Sequence, residues 1–374
     1  MKVLIAGDYV PRDRLAPIVE CSHFDTIFGE IRPILSRVDY SIVNFESPIV
    51  KDGDKPISKF GPNLKCTEKA VDAIKYAGFN CVTLANNHIR DYGDVAIQRT
   101  ISTLNSQDID HVGAGKDLIA ASSILYHENH GERLAIINFC ENEFSIASKF
   151  NYGANPLNVV KLYYLITEAK ENADFVLVIC HGGHEHYQLP SPRMQDLYRY
   201  FIDIGADFVV NHHQHCFSGY EIYKERLIFY GLGNFCMDKN PIKINQPWNF
   251  GYMVILDTSN LSHFEIIPYE QCGKEPGVHL INCESFNETL AHLNKIISDR
   301  EALEAEIRKY YYHSSSWIQS IFEPIQNRFL LALQRRKLFP SLLSKQHLLR
   351  FQNYIMCESH RDKVDFYMKI KNNN

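Results

Sequence analysis

Six of the chain's seventeen histidines fall between His181 and His215, and each subgroup follows a short apolar run. Phe175 to Cys180 leads into His181-Gly182-Gly183-His184-Glu185-His186, and Phe208-Val209-Val210 leads into Asn211-His212-His213-Gln214-His215. Imidazole is the commonest metal-binding side chain. A buried strand that ends in imidazoles aims them into the crevice at the carboxyl edge of an open α/β sheet. Three more runs end in potential ligands: Val3 to Gly7 before Asp8, Tyr40 to Val43 before Asn44-Phe45-Glu46, and Cys81 to Ala85 before Asn86-Asn87-His88, with Asp91 three residues on. Mixed oxygen and nitrogen donors without thiolate suit a divalent ion such as Mn, Fe, Zn or Mg, and argue against a Cys-rich structural zinc site.

The elements that must position these groups are short strands alternating with helical stretches to about residue 235. Residues 67–78 read as a helix with Thr67 as N-cap and Gly78 as stop, and 193–205 repeat that logic. Such alternation implies mainly parallel pairing with helices outside. Residues 227–230 and 252–256 are predicted strands of a second sheet. From Asn282 the character changes: 298–310, 323–339 and 342–356 have helical periodicity, interrupted at Pro340. Residues 300–374 hold 13 Lys/Arg against 7 Asp/Glu, leaving 26 against 37 in the rest. The favoured reading of this basic tail is helices packed on their own core with solvated basic faces; docking on a partner or an anionic surface is the alternative.

At 374 residues, with 45% hydrophobic and 22% charged residues, the chain is of ordinary globular composition. A net charge of −5 gives no drive toward nucleic acid. No apolar stretch approaches the length that spans a bilayer. Ten cysteines without a Cys-x-x-Cys pair, several inside apolar strands, point to a reducing compartment. The expectation is a cytoplasmic protein, or one peripheral at the inner membrane face.

Taken in order, Gly7-Asp8, Asn44-Phe45-Glu46, Leu84 to Gly93, His181 to Glu185, Gly205-Ala206-Asp207, His213-Gln214-His215 and Gly233-Asn234-Phe235 carry a resemblance. The chain resembles the CapA-type family of poly-γ-glutamate capsule biosynthesis proteins, a branch of the calcineurin-like metallophosphatases. The resemblance implies an α/β fold, a four-layer α-β-β-α sandwich over residues 1–275; the basic helical extension expected over 282–374 lies beyond the residues that carry it. The resemblance also implies one or two divalent metals, with Asp8 and His215 at the first, Asn87, His181 and His213 at the second, and Glu46 in the bridging position. His88 would face the substrate as general acid or oxyanion stabiliser, held by Asp91, and Glu185 matches the family pattern. Two departures count against a standard dinuclear phosphatase: Asp8-Tyr9-Val10 replaces Asp-x-His, and a glutamate replaces the bridging aspartate.

The function implied is metal-dependent hydrolysis or transfer at a phosphoester or an acyl or amide bond, through a metal-bound hydroxide, in surface-polymer biosynthesis. The alternatives are amide-bond formation on a polymer or sugar carboxylate, and a non-catalytic subunit of a polymer-synthesis complex. The partner expected is an anionic polymer or a phosphorylated or acyl substrate. The C-terminal helices would serve such a complex or self-association.

Plainer readings exist for single positions. Asp8 could cap a turn, and Asn87-His88 could bond their own backbone. His212 is expected to face away from His213 and His215, because side chains alternate in an extended stretch. His184 and His186 could be exposed loop residues. Gly233-Asn234 reads as a tight turn beneath the site. Lys51, Lys55, Lys59 and Lys65 read as a solvated loop face, with contact to an anionic substrate as the other possibility.

Overall fold

The apolar run at the N-terminus forms β1 (Lys2–Val10), buried at every residue after Lys2. In the computed structural model, which describes residues 1–239, 241, 244–356, 364 and 368, the chain continues through α1 (Leu15–Glu20), α2 (Phe24–Phe28), α3 (Arg32–Leu35), β2 (Tyr40–Phe45), α4 (Lys69–Ala77), β3 (Cys81–Thr83), α5 (Gly93–Ser106) and β4 (Asp110–Val112). Strands β1 to β4 pair in parallel. A short β5 (Ala114–Gly115) and α6 (Leu118–Ala121) lead to β6 (Leu125–Asn129), β7 (Glu132–Cys140), β8 (Gly153–Ala154), α7 (Val159–Asn172), β9 (Phe175–His181), α8 (Pro192–Asp203), β10 (Phe208–His212), β11 (Tyr220–Tyr223) and β12 (Arg226–Phe229). These build a six-stranded sheet in the order β11-β12-β10-β9-β7-β6, while β5 pairs β8.

The chain then returns to the first sheet. β13 (Asn234–Met237) pairs the end of β1 in parallel, and β14 (Phe250–Asp257), β15 (Phe264–Gln271) and β16 (Val278–Leu280) extend it antiparallel from the other part of β1. Residues 252–256, expected in the second sheet, therefore belong to the first. Hydrophobicity fixed that they are a strand; nothing local in them names the partner. α4 ends as expected at Gly78, whose φ of 105° suits glycine. Thr67 does not cap it, and its hydroxyl donates to Glu20 instead.

Alternation along β1 assigns its two faces. Val3 and Ile5 join Leu134, Ile136, Val176 and Val178 of the second sheet in one core, whereas Leu4 and Ala6 face Val19, Phe28 and Val71 of the helices. Leu162, Ile166 and Phe201 of α7 and α8 cover the second sheet. The layers thus run α-β-β-α. Asn138 on β7 ties the sheets at the edge that matters: its Oδ1 accepts from Ala85 N (2.7 Å) and its Nδ2 donates to Ile179 O (3.0 Å).

Helix α9 (Glu284–Ser298) buries Phe286, Leu290, Leu293 and Ile297 in that same core. The first compact unit consequently runs from Met1 to Glu304, past the 275–282 division expected from the sequence. The second unit, Ala305–Asn374, contains most of α10 (Arg300–Phe322), with α11 (Arg328–Arg335) and α12 (Lys345–Met356). Among the described residues, no helix is long and apolar enough to cross a membrane.

Candidate metal centre

The ligand candidates stand near or just past the carboxyl ends of parallel strands. Gly7 is glycine for a packing reason: a Cβ there would lie 1.9 Å from the Gly233 carbonyl oxygen. That close approach lets Asp8 N donate to Gly233 O (3.2 Å) and brings β13 against the end of β1. Asp8 is buried, accepting from Asn44 Nδ2 (2.7 Å) and from His213 N (3.3 Å). Burial works to raise its pKa, but the His215 hydrogen bond and the imidazoles of His212, His181 and His215 overcome it and hold the carboxyl well below the usual range.

Glu46 stands one residue past β2 at 0% exposure, and neither of its carboxylate oxygens has a hydrogen-bond partner. Its Oε1 lies 3.5 Å from His181 Nε2 and 4.0 Å from His215 Nε2. Burial, then the charge of Asp8, push its pKa upward. Two groups of donor atoms lie within 4.8 Å of one another: Glu46, His181 and His213, and Asp8, Glu46 and His215. Glu46 belongs to both. Asn87 Oδ1 approaches His181 Nε2 at 3.1 Å, and His213 Nδ1 approaches the same nitrogen at 3.1 Å. A partnerless buried carboxylate, set among imidazoles and an amide oxygen, is a donor set that a divalent cation fits.

The imidazoles are prepared by burial and by neighbours. His181 is driven down to about 3, and His213 is also lowered, burial being the largest cause for both. His215 is different: burial opposes protonation, but Glu46 and Asp8 raise it to about 9. Its Nδ1 contacts Asn234 Oδ1 (2.9 Å), while Asn234 Nδ2 donates to the His215 and Trp248 carbonyls, so Asn234 orients the ring and leaves Nε2 facing Glu46. His213 and His215 adopt φ of 93° and 56°, strained for non-glycine residues.

His212 lies outside both donor groups. The chain leaves extended geometry at His213, and the buried His212 ring comes to 3.7 Å from Asp8 Oδ1, with neither ring nitrogen hydrogen-bonded. Burial lowers its pKa to about 4.

His88 follows a turn in which Asn86 Oδ1 accepts from His88 N (3.1 Å) and Asn86 Nδ2 donates to Phe45 O (2.9 Å). Its Nδ1 contacts Asp91 Oδ2 at 2.6 Å. Asp91 also accepts from Leu64 N (2.6 Å) and forms an ion pair with Lys59. The Lys59 side chain, 4% exposed and 3.2 Å from His88 Nδ1, is thus not part of a solvated face, whereas Lys51, Lys55 and Lys65 are exposed.

Glu185 lies exposed in the loop after β9, outside both donor groups. Partial desolvation works to raise its carboxyl, yet the neighbouring imidazoles, His215 foremost, hold it lowered. His184 is half-buried. The exposed His186 ring stands 5.5 Å from Trp248, which also lies 5.0 Å from His215. The sequence reading missed Asn44 as well. This amide donates to Asp8, stands 3.3 Å from His181 Nδ1 and accepts from Thr83. Its place in the strand-end motif before Glu46 was the available signal.

The layered sheets and the strand-end cluster define an α-β-β-α fold with buried carboxylates and imidazoles gathered at one edge of its parallel strands. The bacterial capsule synthesis protein PGA_cap family matches residues 2–239, and the chain belongs to that family. It is 35% identical to the capsule biosynthesis protein CapA of Bacillus anthracis over 64% of this chain and 60% of that one. It is 31% identical to the PGA biosynthesis protein CapA of Bacillus subtilis over 71% and 70%. The chain thus spans less than two thirds of the first relative's length. A novel phosphatase from Mycoplasma pneumoniae aligns at a TM-score of 0.48 and 14% identity, over 77% of this chain and 98% of that one. At that score the likeness adds nothing to the layer order and nothing about activity.

Proposed function

We propose that this protein is a metal-dependent enzyme of bacterial surface-polymer biosynthesis, acting by hydrolysis or transfer at a phosphoester or an acyl or amide bond. Glu46 carries the reading: a fully buried carboxylate, without hydrogen-bond partners, shared between Asp8 and His215 on one side and His181 and His213 on the other. Ionising such a carboxylate with no cation beside it would cost on the order of several kcal/mol. Asp8, Glu46, Asn87, His181, His213 and His215 would hold the cation. Bound there, it would lower the pKa of water and neutralise charge developing on a phosphoryl or acyl oxygen.

The other residues serve the proton and the substrate. Asp91 accepts a hydrogen bond from Nδ1–H of His88, which fixes the tautomer and leaves Nε2 for the substrate. Lys59 compensates Asp91 from its other oxygen and pins the 50–65 loop beside His88. An oriented imidazole held by a carboxylate favours catalysis over binding alone. The names of the two CapA relatives support a role in capsule or polymer synthesis.

The test is elemental analysis of the purified protein, followed by a screen of phosphoester and amide substrates. A stoichiometric first-row divalent metal, lost in Glu46→Gln, is expected. Protein without metal that also fails reconstitution would overturn the reading.

A further inference from the structure

The second unit carries a cationic and apolar surface that the metal chemistry does not use. Within residues 323–356 the basic side chains are Arg328, Arg335, Arg336, Lys337, Lys345 and Arg350, and Glu323 is the one carboxylate. Glu323 is 3% exposed, accepting hydrogen bonds from the Ser341 hydroxyl and the Leu342 amide. Its charge is therefore withdrawn from the surface, and the cations stand without a compensating exposed carboxylate in this segment.

Large apolar side chains are exposed among those cations. Phe329 is 71% exposed, Leu338 70%, Leu349 55% and Ile355 53%. On α12, Leu348, Phe351 and Ile355 recur at helical spacing, with Leu349 and Tyr354 flanking them and Arg350 on the opposite side. A twelve-residue helix reaches roughly 18 Å, well short of the roughly 30 Å hydrocarbon core. It can lie in a membrane interface but not cross one.

We propose that α11 and α12 dock on an anionic lipid bilayer, with their apolar side chains in the headgroup boundary and their arginines and lysines on lipid phosphates. Charge selects this occupant. A surface of one sign, broad in its apolar arc and containing Phe and Tyr, matches a fluid anionic interface, which demands no shaped groove.

Cosedimentation of the full chain with phosphatidylcholine vesicles, and with vesicles that also contain phosphatidylglycerol, tests this. Binding to the mixed vesicles at low salt, weak binding to the neutral ones and release at high salt are expected. Each basic residue near such a surface raises partitioning roughly fivefold, so Arg335→Ala/Arg336→Ala/Lys337→Ala should weaken it on the order of a hundredfold. Leu349→Glu/Ile355→Glu should weaken it comparably at unchanged metal content, which reports that the first unit is intact. The lipid dependence of the unmodified chain stands even where a variant does not fold. No binding to anionic vesicles at low salt, or equal binding to neutral ones, overturns the proposal. So does a dimer that Leu349→Glu/Ile355→Glu converts to monomer without any vesicle binding, since a second copy would then be the occupant.

Discussion

Metal affinity should rise with pH, and His215 sets the slope. Its pKa is raised to about 9 by Glu46 and Asp8 against the effect of burial, and Glu46 is itself raised, by burial and by Asp8. Without a cation, this pair keeps at least one proton at neutral pH. A metal needs the imidazole lone pair and the bare carboxylate, so cation and proton compete for the same atoms. The proton is bound in the metal-free state and absent from the loaded one. Affinity therefore increases with pH until the pKa of His215 is passed, then levels off. At pH 7 the proton lies two units below release, which costs about 2.7 kcal/mol, or roughly a hundredfold in affinity.

His181 at about 3, and His213 lowered with it, are already neutral in this window and add nothing to the slope. Titration of the metal-free protein with Zn or Mn against a competing chelator, from about pH 6.5 to about pH 8.5, measures the effect. The logarithm of affinity should climb by about one per pH unit, and toward two where Glu46 releases its proton as well. His215→Gln should bind more weakly and lose most of that slope. A wild-type affinity independent of pH would refute the reasoning, because it would mean that the His215–Glu46 pair holds no proton for the metal to displace.

Asn44→Ala should weaken metal binding about 10- to 100-fold, since Asn44 orients Asp8 and contacts His181 from behind; competition titration reads it. His88→Ala should abolish turnover at near-normal metal content, whereas His213→Ala should lose the metal, and paired activity and elemental assays separate the two. The metal-free protein should lose thermal stability as pH falls below 6.5. His181 and His212, held to about 3 and 4, take up protons far more readily when unfolded, so stability is full above the ordinary histidine value and declines toward the folded one. A melting temperature flat from pH 7 to pH 4.5 would count against that burial. Truncation after Glu304 should keep the metal, but truncation after Cys272 should aggregate. The latter removes four buried side chains of α9, worth roughly 1.5–3 kcal/mol each, a sum comparable to the stability of a whole domain; light scattering and metal content check both.

What the sequence made legible was the set of strand ends. An apolar run of five or six residues has one economical fate in an α/β protein, a buried parallel strand, and the polar residue that stops it is left at the carboxyl edge. That reasoning put Asp8, Glu46, Asn87, His181, His213 and His215 at strand ends without contact information, because sheet geometry does the gathering; which of the strand-end residues would hold a metal came from the family resemblance. It failed where the deciding fact is not local. β14 is a strand by hydrophobicity, but its place beside β1 depends on a chain reversal through β13 that its own residues do not encode. The alternation rule gave no sign that His212 would come to 3.7 Å from Asp8, a residue 204 positions away. Lys59 looked like its neighbours Lys51, Lys55 and Lys65 because a loop lysine shows its partner only in three dimensions. Asp91, 32 residues on, is what distinguishes it. The same carboxylate holds the 50–65 loop through Leu64 and orients His88. A change of length or sequence in that loop should therefore reach the candidate proton donor directly, which makes Asp91 the joint between the 50–65 loop and His88.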